Sequence, residues 1–298
     1  MKRLLPILAI AAIVCSSCGI VRSRSSERYL PGPAIRADYT PEGIVEEHYH
    51  PCSVPGPTER HMVVYLPADY YKTERSYPVL YLLHGARGYE TSWIRFGEVY
   101  HTADSLWADG KAEYCIIVMP NINQYNDDKD YDGGRFKDAF ESICEVDGIV
   151  ESAFMNDVVD YIDSHYRTLT DQKHRAIAGL SIGGYQSIYF GANYPNEFGY
   201  IGAMSPYMWS MGRPSVTRHQ FYSHLHKKMK RQFADNPPYG YYLYAGTTDM
   251  MRPSTVNLHQ YMNKKGYEHT YKIYPETHNW PNGWTQELKD MMQNIFKD

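Results

Sequence analysis

The sequence has 298 residues, 43% of them hydrophobic and 14% aromatic, which is typical of a globular protein. Its 30 Lys and Arg residues against 34 Asp and Glu residues give a formal net charge of −4, so the charge balance offers no basis for binding nucleic acid or other polyanions. This length is enough to bury the core of one large α/β domain, and we expect a single domain.

The chain begins with the organisation of an export signal. Residues 1–3 are basic, and residues 4–14 form an apolar run too short to cross a membrane as a folded helix. The small residues that follow, ending at Cys18, resemble a bacterial lipoprotein signal, in which Cys18 becomes the lipidated first residue. Cys15 stands where leucine is usual, so a plain cleaved signal remains the alternative. We predict a signal peptide at 1–17 and an exported protein, periplasmic or on the cell surface, held at the membrane only by a lipid on Cys18.

The residues after the signal lack a hydrophobic period. Residues 18–43 include a stretch rich in Ser and Arg and a Pro-Gly-Pro sequence, so we predict a tether that joins the anchor to a domain at 44–298. The cysteines of that domain, Cys52, Cys115 and Cys144, allow at most one disulfide and contain no CxxC pair. The sequence therefore predicts neither a disulfide framework nor a metal site.

Strand and helix patterns follow one another along the domain. Two strand-like runs at 44–50 and 60–66, separated by a Pro-Gly-Pro turn, predict an antiparallel pair of edge strands. The strands predicted after Pro78 are 79–83, 114–119, 176–180, 200–204, 241–245 and 270–274. The predicted helices are 93–108, 149–166, 183–194, 217–233, 254–265 and 284–296. Continuous apolar strands with helices between them predict an α/β fold with a mostly parallel sheet covered on both faces.

In open parallel sheets, catalytic and binding residues lie where the strands end. After the strand at 176–180, residues 179–183 match the GxSxG pattern of a nucleophile elbow and open a helix. Such a turn lifts the serine Oγ clear of the sheet, and glycines are needed on either side because a Cβ would collide there. The same pattern is common in ordinary turns, but here both the strand and the helix are present. We predict that Ser181 is a nucleophile.

A second glycine-rich turn follows the strand at 79–83. This HGxxG turn at 84–88 would bring a backbone N–H beside the position where Ser181 projects, which suits it to stabilise an oxyanion. We predict the backbone N–H groups of Ala86 and Ile182 as the donors, and we expect the histidine of the turn to brace it. The turn alone would be a weak signal, and the elbow that follows strengthens it.

A serine hydroxyl needs a general base, and in the chain order Ser, Asp or Glu, His that base lies late in the chain. His278 follows the strand at 270–274 in this way. Asp249 lies in the polar turn after the strand at 241–245, where its carboxylate would orient His278 and stabilise the imidazolium. Asp249 could instead only cap a helix, and Glu276, two residues from His278, is a competing acid. We favour Asp249 because it approaches the ring from an adjacent strand end.

These motifs together resemble a known family. The His84-Gly85 turn, the elbow around Ser181, the turn ending at Asp249 and the segment His278-Asn279-Trp280 are similar to those of the α/β-hydrolase esterases of the feruloyl esterase, esterase D and antigen 85 group. The similarity covers roughly residues 45–297. It implies an α/β-hydrolase fold, hydrolysis of a carboxylic ester through an acyl-enzyme, a triad of Ser181, Asp249 and His278, and no cofactor.

Three tryptophans are candidate substrate contacts. Trp280 and Trp284 flank His278 in the sequence, and Trp93 follows Ser92 in a weaker echo of the family pattern. Aromatic faces near a catalytic serine suit sugar rings or phenolic acyl groups. We predict all three tryptophans as substrate-binding residues.

A long segment after the strand at 114–119 departs from a compact family member. Residues 121–148 are the candidate wall of the acyl or alcohol pocket, because long loops at strand ends usually carry function. The acidic residues at 128–133 imitate a calcium loop, but Ala139 stands where the bidentate Glu should be. We predict a solvated acidic loop and no metal.

Two classes of function are compatible with these residues. The first is an exported serine esterase that removes feruloyl, acetyl or similar acyl groups from polysaccharides or oligosaccharides, with a siderophore esterase or an acyltransferase as alternatives. The second is a non-catalytic carbohydrate-binding protein on an esterase scaffold. The complete set of Ser, Asp and His favours the enzyme, because folding does not require all three. The sequence gives no indication of the oligomeric state.

Overall fold

An eight-stranded sheet runs through the described part of the chain. The computed structural model describes residues 33–53, 58–86, 88–122, 152–208, 218–280 and 283–297, without the side chains of 218–221. These residues belong to one compact unit, Gly32–Asp298. The strands are β1 (Ile44–Pro51), β2 (Glu59–Leu66), β3 (Val79–Leu83), β4 (Ile116–Pro120), β5 (Arg175–Leu180), β6 (Tyr200–Met204), β7 (Gly240–Gly246) and β8 (Thr270–Tyr274).

The strands lie in the order β1-β2-β4-β3-β5-β6-β7-β8. The pairs β1–β2 and β2–β4 are antiparallel, and every other neighbouring pair is parallel. The predicted α/β fold, with its mostly parallel sheet and antiparallel N-terminal edge strands, is therefore confirmed. Leu83 pairs with Gly179 in the β3–β5 register, so the end of β3 lies directly beside the residues that precede Ser181.

Helices cover both faces of this sheet. They are α1 (Ser92–Arg95), α2 (Val99–Ala108), α3 (Asp160–His165), α4 (Ile182–Asn193), α5 (Arg218–Asp235), α6 (Arg252–Lys265) and α7 (Gly283–Met292). A π-helical segment, Phe154–Val159, leads directly into α3. One core includes side chains from α3 to α6, such as Ile162, Ile188, Leu225 and Leu258. The other core includes side chains from α1, α2 and α7, such as Trp93, Leu106 and Leu288.

The helix predicted at 93–108 is divided in two. Helix α1 ends before Gly97, and Glu98 has a left-handed φ of 50° immediately before α2. A methyl carbon at Gly97 would lie 2.6 Å from ring atoms of both Trp93 and Trp280. The helix is interrupted where glycine lets two indole rings approach the backbone, and helical periodicity carries no sign of that contact.

The segment before β1 packs on the domain. Ala34 is 3% exposed, and its carbonyl accepts a hydrogen bond from the Tyr100 hydroxyl at 2.8 Å. The Tyr39 hydroxyl donates to Asp104 at 2.6 Å. Residues 33–43, which the sequence places in the tether, are thus attached to α2, because their apolar and tyrosine side chains find partners there.

Several predicted features lie outside the described residues. They are the signal peptide with Cys18, the tether up to residue 32, and residues 123–148 of the long segment after β4. Across the ranges that the structure describes, no helix is both long enough and apolar enough to cross a membrane.

Candidate active site

Ser181 lies at a sharp turn between β5 and α4. Its φ of 53° and ψ of −113° are rare for a residue with a side chain. The neighbouring positions have no room for one: a methyl carbon at Gly179 would lie 2.6 Å from the carbonyl carbon of Gly183, and one at Gly183 would lie 2.5 Å from the carbonyl oxygen of His84. This packing holds Ser181 at the carboxyl edge of the sheet.

The structure brings three of the predicted residues into one hydrogen-bonded chain. His278 Nε2 lies 3.1 Å from Ser181 Oγ. On the other side of the ring, His278 Nδ1 lies 3.0 Å from each carboxylate oxygen of Asp249. Because a carboxylate only accepts, Nδ1 donates its hydrogen to Asp249, and Nε2 is left to accept from the serine hydroxyl. This geometry allows His278 to take the proton of Ser181.

Asp249 is held by the turn that follows β7. Its side chain has 0% exposure, and its Oδ1 accepts a hydrogen bond from the Met251 backbone N–H at 2.6 Å. Burial raises the pKa of Asp249, but the hydrogen bond and charge of His278, helped by Ser205 and the Met251 N–H, reverse that effect, so the pKa lies below its usual value. Asp249 is therefore ionised and able to orient His278. Met251, not Asp249, occupies the N-cap of α6.

Glu276, the competing acid, lies in the loop that follows β8. Its backbone carbonyl accepts a hydrogen bond from the Thr248 N–H at 3.1 Å. Its side chain runs along Gly283, where an added methyl carbon would lie 3.0 Å from Cβ and Cγ of Glu276. Within the described ranges, no hydrogen bond joins the Glu276 carboxylate to His278. The structure thus places Asp249, and not Glu276, against the ring.

The turn after β3 lies beside the nucleophile. A methyl carbon at Gly85 would lie 3.5 Å from Ser181 Cβ and 2.6 Å from Cδ1 of Leu180, so glycine permits the close approach. Ala86 comes next and is exposed. Ile182 is the first residue of α4, so its N–H has no partner within the helix and lies at the positive end of the helix dipole. Both predicted oxyanion donors therefore adjoin the site, and their role stays a prediction.

His84 braces this turn from inside the protein. It is 1% exposed, and its Nδ1 lies 2.7 Å from the Gly85 carbonyl oxygen. Burial lowers the pKa of His84, so the ring is neutral. Gly88 packs against the same ring, because a methyl carbon there would lie 2.6 Å from His84 Nδ1.

Two of the three candidate substrate-binding tryptophans lie in the core. Trp93 is fully buried, and its indole N–H donates to the Leu83 carbonyl at 2.9 Å. Trp284 is 5% exposed, and its ring lies edge-on to His278 with centroids 5.2 Å apart. Both rings support neighbouring parts of the site, Trp93 the end of β3 and Trp284 the base, and their role in substrate binding stays a prediction. Trp280 is half-buried, in edge contact with both rings, and stays a candidate.

Sequence reasoning missed two polar residues beneath the site. Ser205 directly follows β6, has a φ of 48°, and lowers the pKa of Asp249. A polar residue at the end of a buried strand is the signal that could have found it. Glu287 on α7 is 1% exposed, and its burial, together with the charges of Asp249 and Glu276, raises its pKa well above the usual value. Glu287 lies three residues after Trp284 and four before Met291, so its place on the apolar stripe of α7 is the signal that could have found it.

The described residues offer no preformed cation site. None of their His, Cys, Asp and Glu side chains form a group of three or more that could hold a metal ion. The calcium-like sequence at 128–133 lies outside these residues. Among the described residues, the polar groups placed to carry out a reaction are those of Ser181, His278 and Asp249.

A mostly parallel sheet whose central strand ends in a strained serine turn, with an aspartate and a histidine supplied after the last two strands, defines an α/β-hydrolase. A family profile described as "Putative esterase" matches residues 53–295. The chain belongs to this esterase family.

Individual relatives agree with this family. The chain is 29% identical over 240 residues to an endo-1,4-beta-xylanase/feruloyl esterase of Xylanibacter ruminicola, covering 78% of this chain and 29% of that protein. It is 31% identical over 137 residues to an esterase of Mycobacterium tuberculosis, covering 45% of this chain and 26% of the other. The chain thus spans less than a third of the length of these curated relatives.

Solved structures share the fold. A ferulic acid esterase with 26% identity superposes with a TM-score of 0.69, covering 85% of this chain and 98% of the other. A ferulic acid esterase of the fungus Anaeromyces mucronatus has a TM-score of 0.68 at 21% identity, covering 91% of this chain and 96% of its own. At that identity the second comparison shows the fold alone.

Proposed function

We propose that this protein is a serine esterase that works through an acyl-enzyme on Ser181. The observation that carries the proposal is the single imidazole of His278, bonded on one side to Ser181 Oγ at 3.1 Å and on the other to buried Asp249 at 3.0 Å. Nothing in the packing of the core requires these three groups to meet. Their order along the ring is the one needed for a nucleophile, a general base and an orienting acid.

Acylation begins when His278 Nε2 takes the hydroxyl proton as Ser181 Oγ bonds to the ester carbonyl carbon. Asp249 holds the ring in the tautomer that can accept that proton, and its charge stabilises the imidazolium. The carbonyl oxygen becomes an oxyanion, which the backbone N–H groups of Ala86 and Ile182 bind. The bond to the alcohol then breaks, and the departing oxygen takes the proton from His278.

Deacylation repeats these steps with water. His278 removes a proton from water as its oxygen attacks the acyl carbon, and the resulting oxyanion returns to the same two donors. Collapse breaks the bond to Ser181 Oγ, which recovers its proton from His278. The products are a carboxylic acid and the free enzyme, and no cofactor takes part in the proposed steps.

We propose feruloyl, acetyl or similar acyl groups on polysaccharides or oligosaccharides as the substrate. The names of the Xylanibacter relative and of the ferulic acid esterase with 26% identity support this choice. The half-buried ring of Trp280, in the aromatic cluster that contacts His278 through Trp284, is the candidate contact for a phenolic or sugar ring. A siderophore ester or transfer of the acyl group to a sugar uses the same first step.

The test combines labelling with a substrate panel. A fluorophosphonate probe should add one adduct to the wild type by intact-mass spectrometry and none to Ser181→Ala, whose kcat should fall about a million-fold. Methyl ferulate, acetylated xylan, aryl acetates and a triscatechol siderophore ester would separate the acyl groups. Labelling that persists in Ser181→Ala refutes the nucleophile. Absence of hydrolysis together with retained sugar binding would support the non-catalytic alternative.

We also propose that the protein is exported and anchored by a lipid on Cys18. Support comes from the sequence, where a basic leader and an apolar run precede small residues and Cys18. Metabolic labelling with a palmitate analogue should mark the wild type and not Cys18→Ala. An unlabelled, soluble mature chain would show that the signal is cleaved without lipidation.

A further inference from the structure

An exposed aromatic ring stands on the outermost strand of the sheet. Tyr49 of β1 is 67% exposed, and its ring lies against His61 of β2, with centroids 4.8 Å apart and planes 31° from parallel. The two residues are direct partners in the β1–β2 register. One face of the tyrosine is therefore supported by the imidazole, and the opposite side of the ring is open to solvent.

The supporting imidazole is itself fixed. His61 Nδ1 lies 2.9 Å from Glu90 Oε1, and His61 Nε2 lies 3.3 Å from Glu47 Oε2. Glu90 is 3% exposed, whereas the Glu47 side chain is 55% exposed. The result is an exposed aromatic ring on an imidazole that two carboxylates hold in place, and we call Tyr49, His61 and Glu47 the tyrosine platform.

The tyrosine platform lies at the same edge of the sheet as Ser181. Met62 pairs with Pro120 at the carboxyl end of β4, and the Asn121 N–H donates to the His61 carbonyl at 3.0 Å. Glu90, which holds His61, lies five residues after Gly85, the glycine beside Ser181. Four strand spacings separate β1 from β5, or roughly 19 Å, so the two sites share an edge without touching.

We infer that the tyrosine platform binds a sugar residue of the glycan whose ester is presented to Ser181. A pyranose ring has an apolar face of C–H groups that suits a solvent-exposed aromatic ring, and hydroxyls at its rim that suit the Tyr49 hydroxyl and the Glu47 carboxylate. The inference rests on the proposed esterase function. The distance limits the effect to substrates several sugars long, because a small ester held at Ser181 does not reach Tyr49.

A structural role predicts something different. Cross-strand aromatic pairs stabilise antiparallel strands, so Tyr49 and His61 could serve only to hold β1 on β2. Loss of such a pair would lower the stability of the protein and affect all substrates alike. A sugar site would instead discriminate between long and short esters.

The experiment compares Tyr49→Ala with Tyr49→Phe and Tyr239→Ala. Tyr239 is the matched control, because it is 60% exposed but precedes β7 at the opposite edge of the sheet. Each variant is assayed on methyl ferulate and on a feruloylated xylo-oligosaccharide. We expect Tyr49→Ala to raise KM for the oligosaccharide about three- to tenfold while kcat/KM for methyl ferulate is unchanged. Tyr49→Phe keeps the ring and loses only the hydroxyl, so it should raise KM for the oligosaccharide less than Tyr49→Ala does. Tyr239→Ala should match the wild type on both substrates.

A second measurement keeps the inference separate from the proposed function. Binding of unesterified xylo-oligosaccharide is measured by calorimetry on Ser181→Ala with and without Tyr49→Ala, and the second change should weaken binding by the same factor. If wild type hydrolyses methyl ferulate and Tyr49→Ala leaves both KM and binding unchanged, the tyrosine platform is not a sugar site. Equal losses on the two substrates, with a lower Tm, would establish the purely structural role. If wild type hydrolyses neither ester, feruloyl groups are not its substrate, and the calorimetry alone decides the sugar site.

Discussion

The Nε2 atom of His84 accepts a hydrogen bond from the backbone N–H of Ile122, 3.1 Å away. His84 begins the turn beside Ser181, and Ile122 follows β4, so the bond ties two strand ends together at the edge of the site. The Gly85 carbonyl can only accept, so Nδ1 carries the ring hydrogen and Nε2 is left free for Ile122. Protonation of Nε2 would turn two donors toward each other and break this link.

The stability of the protein should therefore fall in mild acid partly through His84. Burial lowers the pKa of His84, so between that pKa and about 6.5 the unfolded chain binds a proton that the folded protein does not. The stability that the neutral His84 ring contributes is complete above about pH 6.5 and is lost as the pH falls. Urea unfolding of wild type and His84→Gln at pH 7.5 and 5.5 measures it. The free energy of unfolding of wild type relative to His84→Gln should decrease at the lower pH, whereas a constant difference would mean that folding does not lower the pKa of His84.

The two acids near the base should differ sharply in activity. Asp249→Asn is expected to lower kcat on the order of ten thousand-fold at neutral pH, because an amide no longer selects the productive tautomer of His278. Glu276→Gln should lower kcat less than about tenfold, under ~1.4 kcal/mol of transition-state stabilisation. Steady-state kinetics on one ester decide between them. A severe loss in Glu276→Gln with a mild one in Asp249→Asn would reverse the two roles.

Glu287 should cost the protein stability as the pH rises. Burial, with the charges of Asp249 and Glu276, raises the pKa of Glu287 well above the usual value, so the carboxyl stays neutral in the fold where the unfolded chain ionises. Stability is highest below the unfolded pKa of about 4.3 and decreases above it. Glu287→Gln removes this dependence.

The measurement is Tm at pH 5 and pH 8. Glu287→Gln should melt above the wild type at pH 8, and the difference should shrink at pH 5. Glu268→Gln is the control, because Glu268 is exposed, and its Tm should stay within a degree or two of wild type at both pH values. A Glu287→Gln protein that melts below the wild type at pH 8 would point to a hydrogen-bonding role for the ionised acid.

Replacing a glycine of the elbow with alanine should be more harmful where less space is available for the added methyl group. A methyl carbon at Gly183 would lie 2.5 Å from the His84 carbonyl oxygen, whereas one at Gly184 would lie no nearer than 3.0 Å to the Gly179 carbonyl oxygen. Gly183→Ala must displace the turn that carries Ala86, and we expect it to lower kcat/KM strongly and to cost about 1–3 kcal/mol of stability. Gly184→Ala should be milder in both assays. Equal effects would mean that the backbone absorbs either methyl group.

The sequence predicted the parts of the site that follow from strand ends. Strands 79–83, 200–204 and 270–274 have the predicted bounds, because continuous apolar runs bounded by turn residues leave little ambiguity. Ser181, Asp249 and His278 meet because each follows a strand and parallel strands end at one edge. That inference depends only on the order and direction of the strands, which the alternation of strands and helices in the sequence predicts.

Side-chain direction could not be predicted in the same way. Trp93, Trp280 and Trp284 all lie near site residues along the chain, yet Trp93 and Trp284 turn into the core and, of the three, only Trp280 is partly exposed. The break at Gly97 has the same origin, because it depends on a contact with Trp280 from a distant part of the chain. Contacts between residues far apart in the sequence depend on how the side chains pack in the folded protein, and they produce no periodic pattern in the sequence.

The hydrogen bond from the Met251 N–H to Asp249 Oδ1 requires a short acidic side chain at position 249. An aspartate can bond to the N–H two residues ahead in a tight local turn and still offer its carboxylate to His278. A glutamate carries one more methylene, so it could reach the ring only by releasing Met251 and loosening the start of α6. Asp249→Glu keeps the charge and the chemistry but not the turn. Exchange of one acid for the other during divergence would therefore require a rebuilt loop, and loop length after β7 should vary together with the identity of the acid.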